Sequence, residues 1–143
     1  MDDVRIIDGV VSLIGKTSVA HNGDAGIDVF YQGDEAITLQ PLDRWAFNTG
    51  VQAFFFDESY LIQVCPRSGL AFNHGITVLN APGIVDSGFD GEIGVCLVNL
   101  SHDTYTVEPG SKIAQLVIAK NYNYTESDEG TQRGDSGFGS SGL

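Results

Sequence analysis

Glu92-Ile-Gly-Val-Cys-Leu-Val-Asn-Leu-Ser-His-Asp-Thr-Tyr-Thr-Val-Glu-Pro-Gly-Ser-Lys-Ile-Ala-Gln-Leu-Val-Ile-Ala-Lys120 decides the fold. Its apolar runs, Glu92–Leu100, Thr104–Glu108 and Lys112–Lys120, are cut apart by Ser101-His-Asp103 and Pro109-Gly-Ser111. Runs this short, bounded by turn-forming residues, read as strands. Working outward, Val4–Ile14, Ile27–Tyr31, Ala36–Leu39, Trp45–Phe56, Tyr60–Cys65 and Ile76–Leu79 read the same way, with Gly, Pro, Asn and Asp between them. The helix candidate is very short, Ser68-Gly-Leu-Ala-Phe-Asn73, and no long helical stripe supports a parallel α/β sheet. Many closely spaced strands predict a single all-β domain, a sandwich or barrel of distorted jelly-roll or barrel-like form, over residues 1–120. From residue 121 the apolar patterning fades and Glu126, Asp128 and Glu129 gather. Residues 121–143 therefore read as a flexible C-terminal arm.

Composition narrows the function. The 143 residues carry 19 acidic and 7 basic side chains, a net charge of −12. That balance excludes a general nucleic-acid surface, which needs clustered Lys and Arg. An acidic chain binds a polyphosphate only by placing its few cations well or by recruiting a divalent metal. Arg67, Lys112 and Arg133 fall in Gly- or Pro-marked segments. The apolar runs are too short to span a bilayer. The N-terminus Met1-Asp-Asp lacks the basic-then-apolar pattern of a secretion signal, so a cytoplasmic protein is expected, in a host cell's cytoplasm if the source is viral. Cys65 and Cys96 sit in apolar runs and read as reduced packing residues. Asn99-Leu-Ser101 and Asn123-Tyr-Thr125 match the glycosylation pattern and read as chance matches.

Several motifs fail on inspection. Gly15-Lys-Thr17 ends like a phosphate-binding P-loop, but Val10 stands where that loop needs glycine. Arg133-Gly-Asp135 spells an adhesion tripeptide in an acidic chain without an export signal. His21, His74 and His102 lack metal-ligand spacing.

Five segments are out of place in a plain β-domain. Asp24-Ala-Gly-Ile-Asp28 sets carboxylates beside a tight turn, as site partners or as turn formers. Pro66-Arg-Ser-Gly-Leu70 joins a strand to a short helix, where Arg67 and Ser68 suit an anion, or where Ser68 merely caps the helix. Leu79-Asn-Ala-Pro-Gly-Ile-Val-Asp-Ser-Gly-Phe-Asp-Gly-Glu92 reads as a hairpin carrying Asp86, a carboxylate flanked by branched apolar residues, with Phe89 nearby. Such a carboxylate suits a general base; the alternative is a polar hairpin with one packing aromatic. Gln115 interrupts an apolar strand and must bond backbone or face a ligand. Arg133-Gly-Asp-Ser-Gly-Phe-Gly-Ser-Ser-Gly142 suits closure over a flat anionic ligand, or is a Gly/Ser end.

In this order the segments resemble the five motifs of the trimeric dUTP pyrophosphatases (dUTPases). Ala25-Gly-Ile-Asp28 is similar to the first, Pro66-Arg-Ser-Gly-Leu-Ala71 to the second, Gly83-Ile-Val-Asp-Ser-Gly-Phe-Asp-Gly-Glu-Ile93 to the third, Ser111-Lys-Ile-Ala-Gln-Leu116 to the fourth and Arg133–Gly142 to the fifth. The resemblance covers nearly the whole chain. It implies hydrolysis of dUTP to dUMP and pyrophosphate by water attack on the α-phosphorus, which limits uracil entry into DNA and supplies dUMP for dTMP synthesis. It makes Asp86 the catalytic base. Mg²⁺ would be the cofactor, held mainly by phosphates and water, with Asp28 reaching it through water. Arg67, Ser68, Gly69 and Gln115 would meet the phosphates. Asn80, Gly83 and Ile84 would bind uracil largely through backbone, with Phe89 against the deoxyribose. Arg133, Phe138, Gly139, Ser140 and Ser141 would close the site from the arm. The resemblance further implies a homotrimer whose sites each draw on three chains, and a regulatory protein partner stays open. Ile27, Asp90 and Lys112 depart from the family pattern, Lys112 standing for a usual Arg.

Two rivals remain. A dCTP deaminase shares the fold and an Asp-x-Gly-Phe-x-Gly segment, but Cys96 stands where that family resemblance calls for a catalytic Glu. A non-catalytic nucleotide sensor on the same scaffold would be expected to lack Asp86 or the arm motif, and both are present.

Overall fold

The computed structural model describes residues 3–122. Arg133, Phe138, Gly139, Ser140 and Ser141, and the arm motif with them, lie outside the described residues. Strands dominate as expected: β1 (Val4–Ile7), β2 (Val11–Ile14), β3 (Thr17–Ser18), β4 (Gly26–Phe30), β5 (Ile37–Leu39), β6 (Arg44–Phe55) and β7 (Tyr60–Cys65), then α1 (Ser68–His74), β8 (Ile76–Val78), β9 (Gly83–Val85), β10 (Glu92–Asn99), β11 (Tyr105–Val107) and β12 (Lys112–Lys120). One sheet has the order β1-β2-β6-β10-β8 and the second β3-β4-β12-β7-β9; β11 and β5 form a small pair. All pairings are antiparallel. The two large sheets are open and share one core, with no closed barrel among the described residues.

Alternation explains the packing. Along β6 Phe47, Thr49 and Val51 turn inward while Asn48, Gly50 and Gln52 face out. Phe47 is the largest fully buried side chain and meets Tyr31 edge-on at 5.0 Å. Phe47→Ala is expected to lower stability by about 3–5 kcal/mol, read from the midpoint of chemical denaturation. The buried Thr49 hydroxyl donates to the Ile93 carbonyl at 2.6 Å, where the β6–β10 register shifts.

The chain departs from its sequence reading at three places. Val4–Ile14 is a hairpin of two strands, because Gly9, at φ 70°, turns the chain and the Val10 N–H bonds the Ile7 carbonyl. The Leu79–Glu92 segment is no hairpin: β8 pairs with β10 in one sheet and β9 with β7 in the other, so the segment crosses between sheets. The two-residue β3 carries too short a pattern to read. Asn99 is fully buried; its amide donates to the Leu39 and Asp103 carbonyls and its oxygen accepts from Ser101, so no glycan fits there.

Candidate active site

The site grows from the order β4-β12-β7. Gln115 on β12 lies across from Asp28 of β4 on one side and Cys65 of β7 on the other. Three segments distant in sequence thus meet at one place, and Arg67 follows Cys65 by two residues. They line a polar cleft of about 390 Å³ with Asp24, Gly26, Asp28, Arg67, Ser68 and Gln115, bordered by Ala20 and Ala25.

Asp28 is the electrostatic centre. Its side chain is 13% exposed, and its Oδ1 accepts from Arg67 Nε at 3.2 Å while Oδ2 lies 3.4 Å from Lys112 Nζ. Two cations thus face one carboxylate, and Asp24 brings a second carboxylate to the same cleft. Arg67 engages Asp28 through Nε, the inner nitrogen of its guanidinium.

Gln115 takes the internal partner that the sequence left open. Its Nε2 donates to the Pro66 carbonyl at 2.9 Å, pinning the strand-to-helix junction. This depends on Gly26, because any Cβ there would overlap Gln115 Oε1. Asp24 proves a turn former: its Oδ2 accepts from the His21 N–H at 3.0 Å. Ser68 opens α1 but does not cap it; the cap position is Arg67, extended at φ −93°, without a side-chain cap bond. Ser68 and Gly69 are exposed. Gly75, left-handed at φ 67°, ends the helix. Burial pushes the neighbouring Cys65 thiol up, so that side chain stays an unreactive packing group at neutral pH.

A second, smaller cleft of about 130 Å³ is lined by Asn80, Gly83, Ile84 and Phe89 with Val64, Val85, Ile93 and Gly94. Gly83 pairs with Val64, and a Cβ on it would stand 3.3 Å from both the Asn80 amide nitrogen and Val64. Gly91 makes room for Phe89, whose ring would lie 2.8 Å from an added Cβ. Asp86 follows β9, half-buried, and its carbonyl accepts from the Phe89 N–H at 3.0 Å in a turn that sets the ring. The two clefts share no lining residue, and Asp86 joins the lining of neither. A further cavity of about 320 Å³ between Phe54 and the Ser87–Asp90 turn is mainly apolar and holds no cation.

Sequence reasoning missed Gly26, Gly91 and the placement of Lys112. Gly26 was visible only as part of a matched motif, and Lys112 only as one of few cations. Cys96 is half-buried on β10 opposite Ala46, and a thiol there cannot act as the carboxylic acid that the deaminase rival requires. Among the described residues no three His, Cys, Asp or Glu side chains group to hold a metal ion. No described helix is long and apolar enough to cross a membrane.

The sequence model of the dUTPase family matches residues 16–142. A deoxyuridine 5'-triphosphate nucleotidohydrolase of Clostridium novyi (strain NT) is 47% identical over 129 residues, covering 87% of this chain and 88% of the relative. Among solved structures, the native EIAV dUTPase superposes with a TM-score of 0.72 at 24% identity, over 81% of this chain and 92% of that one. A mutant dUTPase from phage phi11 of S. aureus, described with a coordinated structural Mg(II) ion, superposes with a TM-score of 0.70 at 22% identity over 88% and 94% of the two chains.

Proposed function

This chain belongs to the dUTPase family and hydrolyses dUTP, and from that premise we propose how its residues divide the work. The polar cleft takes the triphosphate: the free edge of Arg67, the Ser68 hydroxyl and the Gly69 backbone meet phosphate oxygens, and Gln115 keeps that loop in register. The smaller cleft takes the nucleoside, with uracil on Asn80, Gly83 and Ile84 and the deoxyribose against Phe89. Asp86 accepts the proton of a water whose oxygen attacks the α-phosphorus. The bond to the β-phosphate oxygen breaks, and pyrophosphate leaves. Arg133, Phe138, Gly139, Ser140 and Ser141 close the chamber from the arm. Positioning and charge stabilisation of this kind supply most of phosphoryl-transfer catalysis.

The observation that carries this reading is the meeting of Asp28, Arg67, Ser68 and Gln115 in one polar cleft, with Arg67 and Lys112 both drawn to Asp28. The two clefts share no lining residue, and the homotrimer that the family resemblance implies would complete each site with motif three from a second chain and the arm from a third.

The donor set fits Mg²⁺ that arrives on the substrate. Mg²⁺ keeps waters and prefers phosphate oxygens to an all-protein cage, and no cage stands among the described residues. Asp28, whose oxygens already face two cations, would help hold the ion only through water. When bound, the ion would neutralise phosphate charge. Product dUMP would then serve dTMP synthesis, and removal of dUTP would keep uracil out of DNA.

Pyrophosphate release tests this. With Mg²⁺ the protein is expected to turn over dUTP and to leave dCTP, dTTP and UTP about a hundredfold slower or more: dCTP because its base mismatches the hydrogen-bonding groups, dTTP because its 5-methyl group and UTP because its 2′-hydroxyl would crowd the cleft. Equal rates on UTP, or ammonia release from dCTP, would overturn the reading.

A further inference from the structure

We propose that Lys112 is a positioning residue of the phosphate cleft: a bulge in β12 turns it onto the cleft's side of the sheet, where it shares Asp28 with Arg67 and so keeps the Arg67 guanidinium presented to phosphate. The inference rests on the dUTP reading above. On β12, Lys112 lies opposite Phe30 and Ala114 opposite Val29, which leaves Ile113 without a partner on β4. Ile113 and Ala114 are both buried, at 1% and 0% exposure, where strict alternation would bury only one of them. A bulge residue re-aims the side chains beyond it. Counted back from the outward Gln115 without the bulge, position 112 would point into the core. With Ile113 inserted, Lys112 joins Gln115 and Asp28 on the outward face.

The resulting geometry is specific. Asp28 sits diagonally from Lys112 on the adjacent strand, two residues along from Phe30, within reach of a long side chain. Lys112 Nζ lies 3.4 Å from Oδ2, and Arg67 Nε lies 3.2 Å from Oδ1. Each carboxylate oxygen therefore faces one cation. With Oδ2 held by Lys112, Arg67 engages Asp28 through its Nε edge alone. Without Lys112, the planar guanidinium is free to take both carboxylate oxygens in a two-bond fork. That fork would withdraw donors from the phosphates. Lys112 does not line the cleft, so it acts through Asp28.

Lys112→Met keeps the aliphatic stem and removes the charge; Lys112→Arg restores it. The measurements are steady-state hydrolysis of dUTP at fixed Mg²⁺, calorimetric affinity for a non-hydrolysable imido analogue of dUTP, and the thermal midpoint. Lys112→Met is expected to weaken both KM and analogue affinity by about tenfold, within the range that misplacing a substrate-positioning group produces. kcat should change less, the midpoint should stay within a few degrees, and Lys112→Arg should recover most of the affinity. Unchanged KM and affinity in Lys112→Met would overturn the proposal. So would equal impairment in Lys112→Arg, or a loss confined to the midpoint. Failure of the unaltered protein to hydrolyse dUTP would sink the underlying reading; an active parent with indifferent Lys112 variants sinks this inference alone.

Discussion

Asp86→Asn is expected to lower kcat for dUTP by about 10²–10⁴-fold, the usual contribution of a positioned general base. The amide keeps the shape of the side chain and removes the proton acceptor. The backbone turn from the Asp86 carbonyl to the Phe89 N–H does not involve the carboxylate, so the nucleoside cleft should survive the change. Pyrophosphate release and the thermal midpoint together test this: a rate within a few-fold of the parent would remove Asp86 from the chemistry. The same variant probes the proposal that each site is shared between chains. Mixed with Arg67→Ala chains and reassembled, it should regain activity at about a quarter of the sites, since in a closed cyclic oligomer half the interfaces supply an intact Asp86 and half of those face an intact Arg67. Parents that are each dead, and stay dead when mixed, would place both residues in one chain's site.

The second large effect is expected at a glycine. Gly26→Ala introduces a Cβ where Gln115 Oε1 now lies, at a backbone conformation outside the left-handed region. The cost is therefore a collision with one movable side chain. Gln115 must swing away and release the Pro66 carbonyl, loosening the loop that carries Arg67 and Ser68. Stability should fall by only about 1 kcal/mol, the net worth of one hydrogen bond. Activity should fall further, by roughly ten- to a hundredfold in kcat/KM, because the phosphate donors lose their register. A double-mutant cycle isolates the cause: in a Gln115→Ala background the same glycine change should cost almost nothing more. Additive losses would show that Gly26 acts by another route.

Most of this architecture was legible before any coordinates. β7 ends just before Pro66, and β11 and β12 are parted by Pro109-Gly-Ser111, because these turn residues interrupt the apolar runs and do not continue a ladder. The hairpin at Gly9 was missed because valines and isoleucines on both sides of Asp8-Gly9 read as one run. The crossing of residues 79–82 from one sheet to the other was missed for a different reason. Which sheet a short strand joins depends on partners far along the chain, here Leu97 for Val78 and Ile62 for Val85. The site divides the same way. Arg67, Ser68, Asp86 and Gln115 were legible as residue types in unusual settings. Gln115's choice of Pro66, and the turn of Lys112 toward Asp28, depend on inter-strand register, which a single run of letters does not display.

The gathering of Arg67 and Lys112 at Asp28 has a consequence at the bench. In a chain of net charge −12 with few cations, orthophosphate and released pyrophosphate compete for the donors proposed for the substrate. Phosphate-buffered solutions would thus mask part of the enzyme's turnover, and progress curves would bend early as product accumulates. A zwitterionic buffer and initial-rate conditions keep those donors available to the substrate.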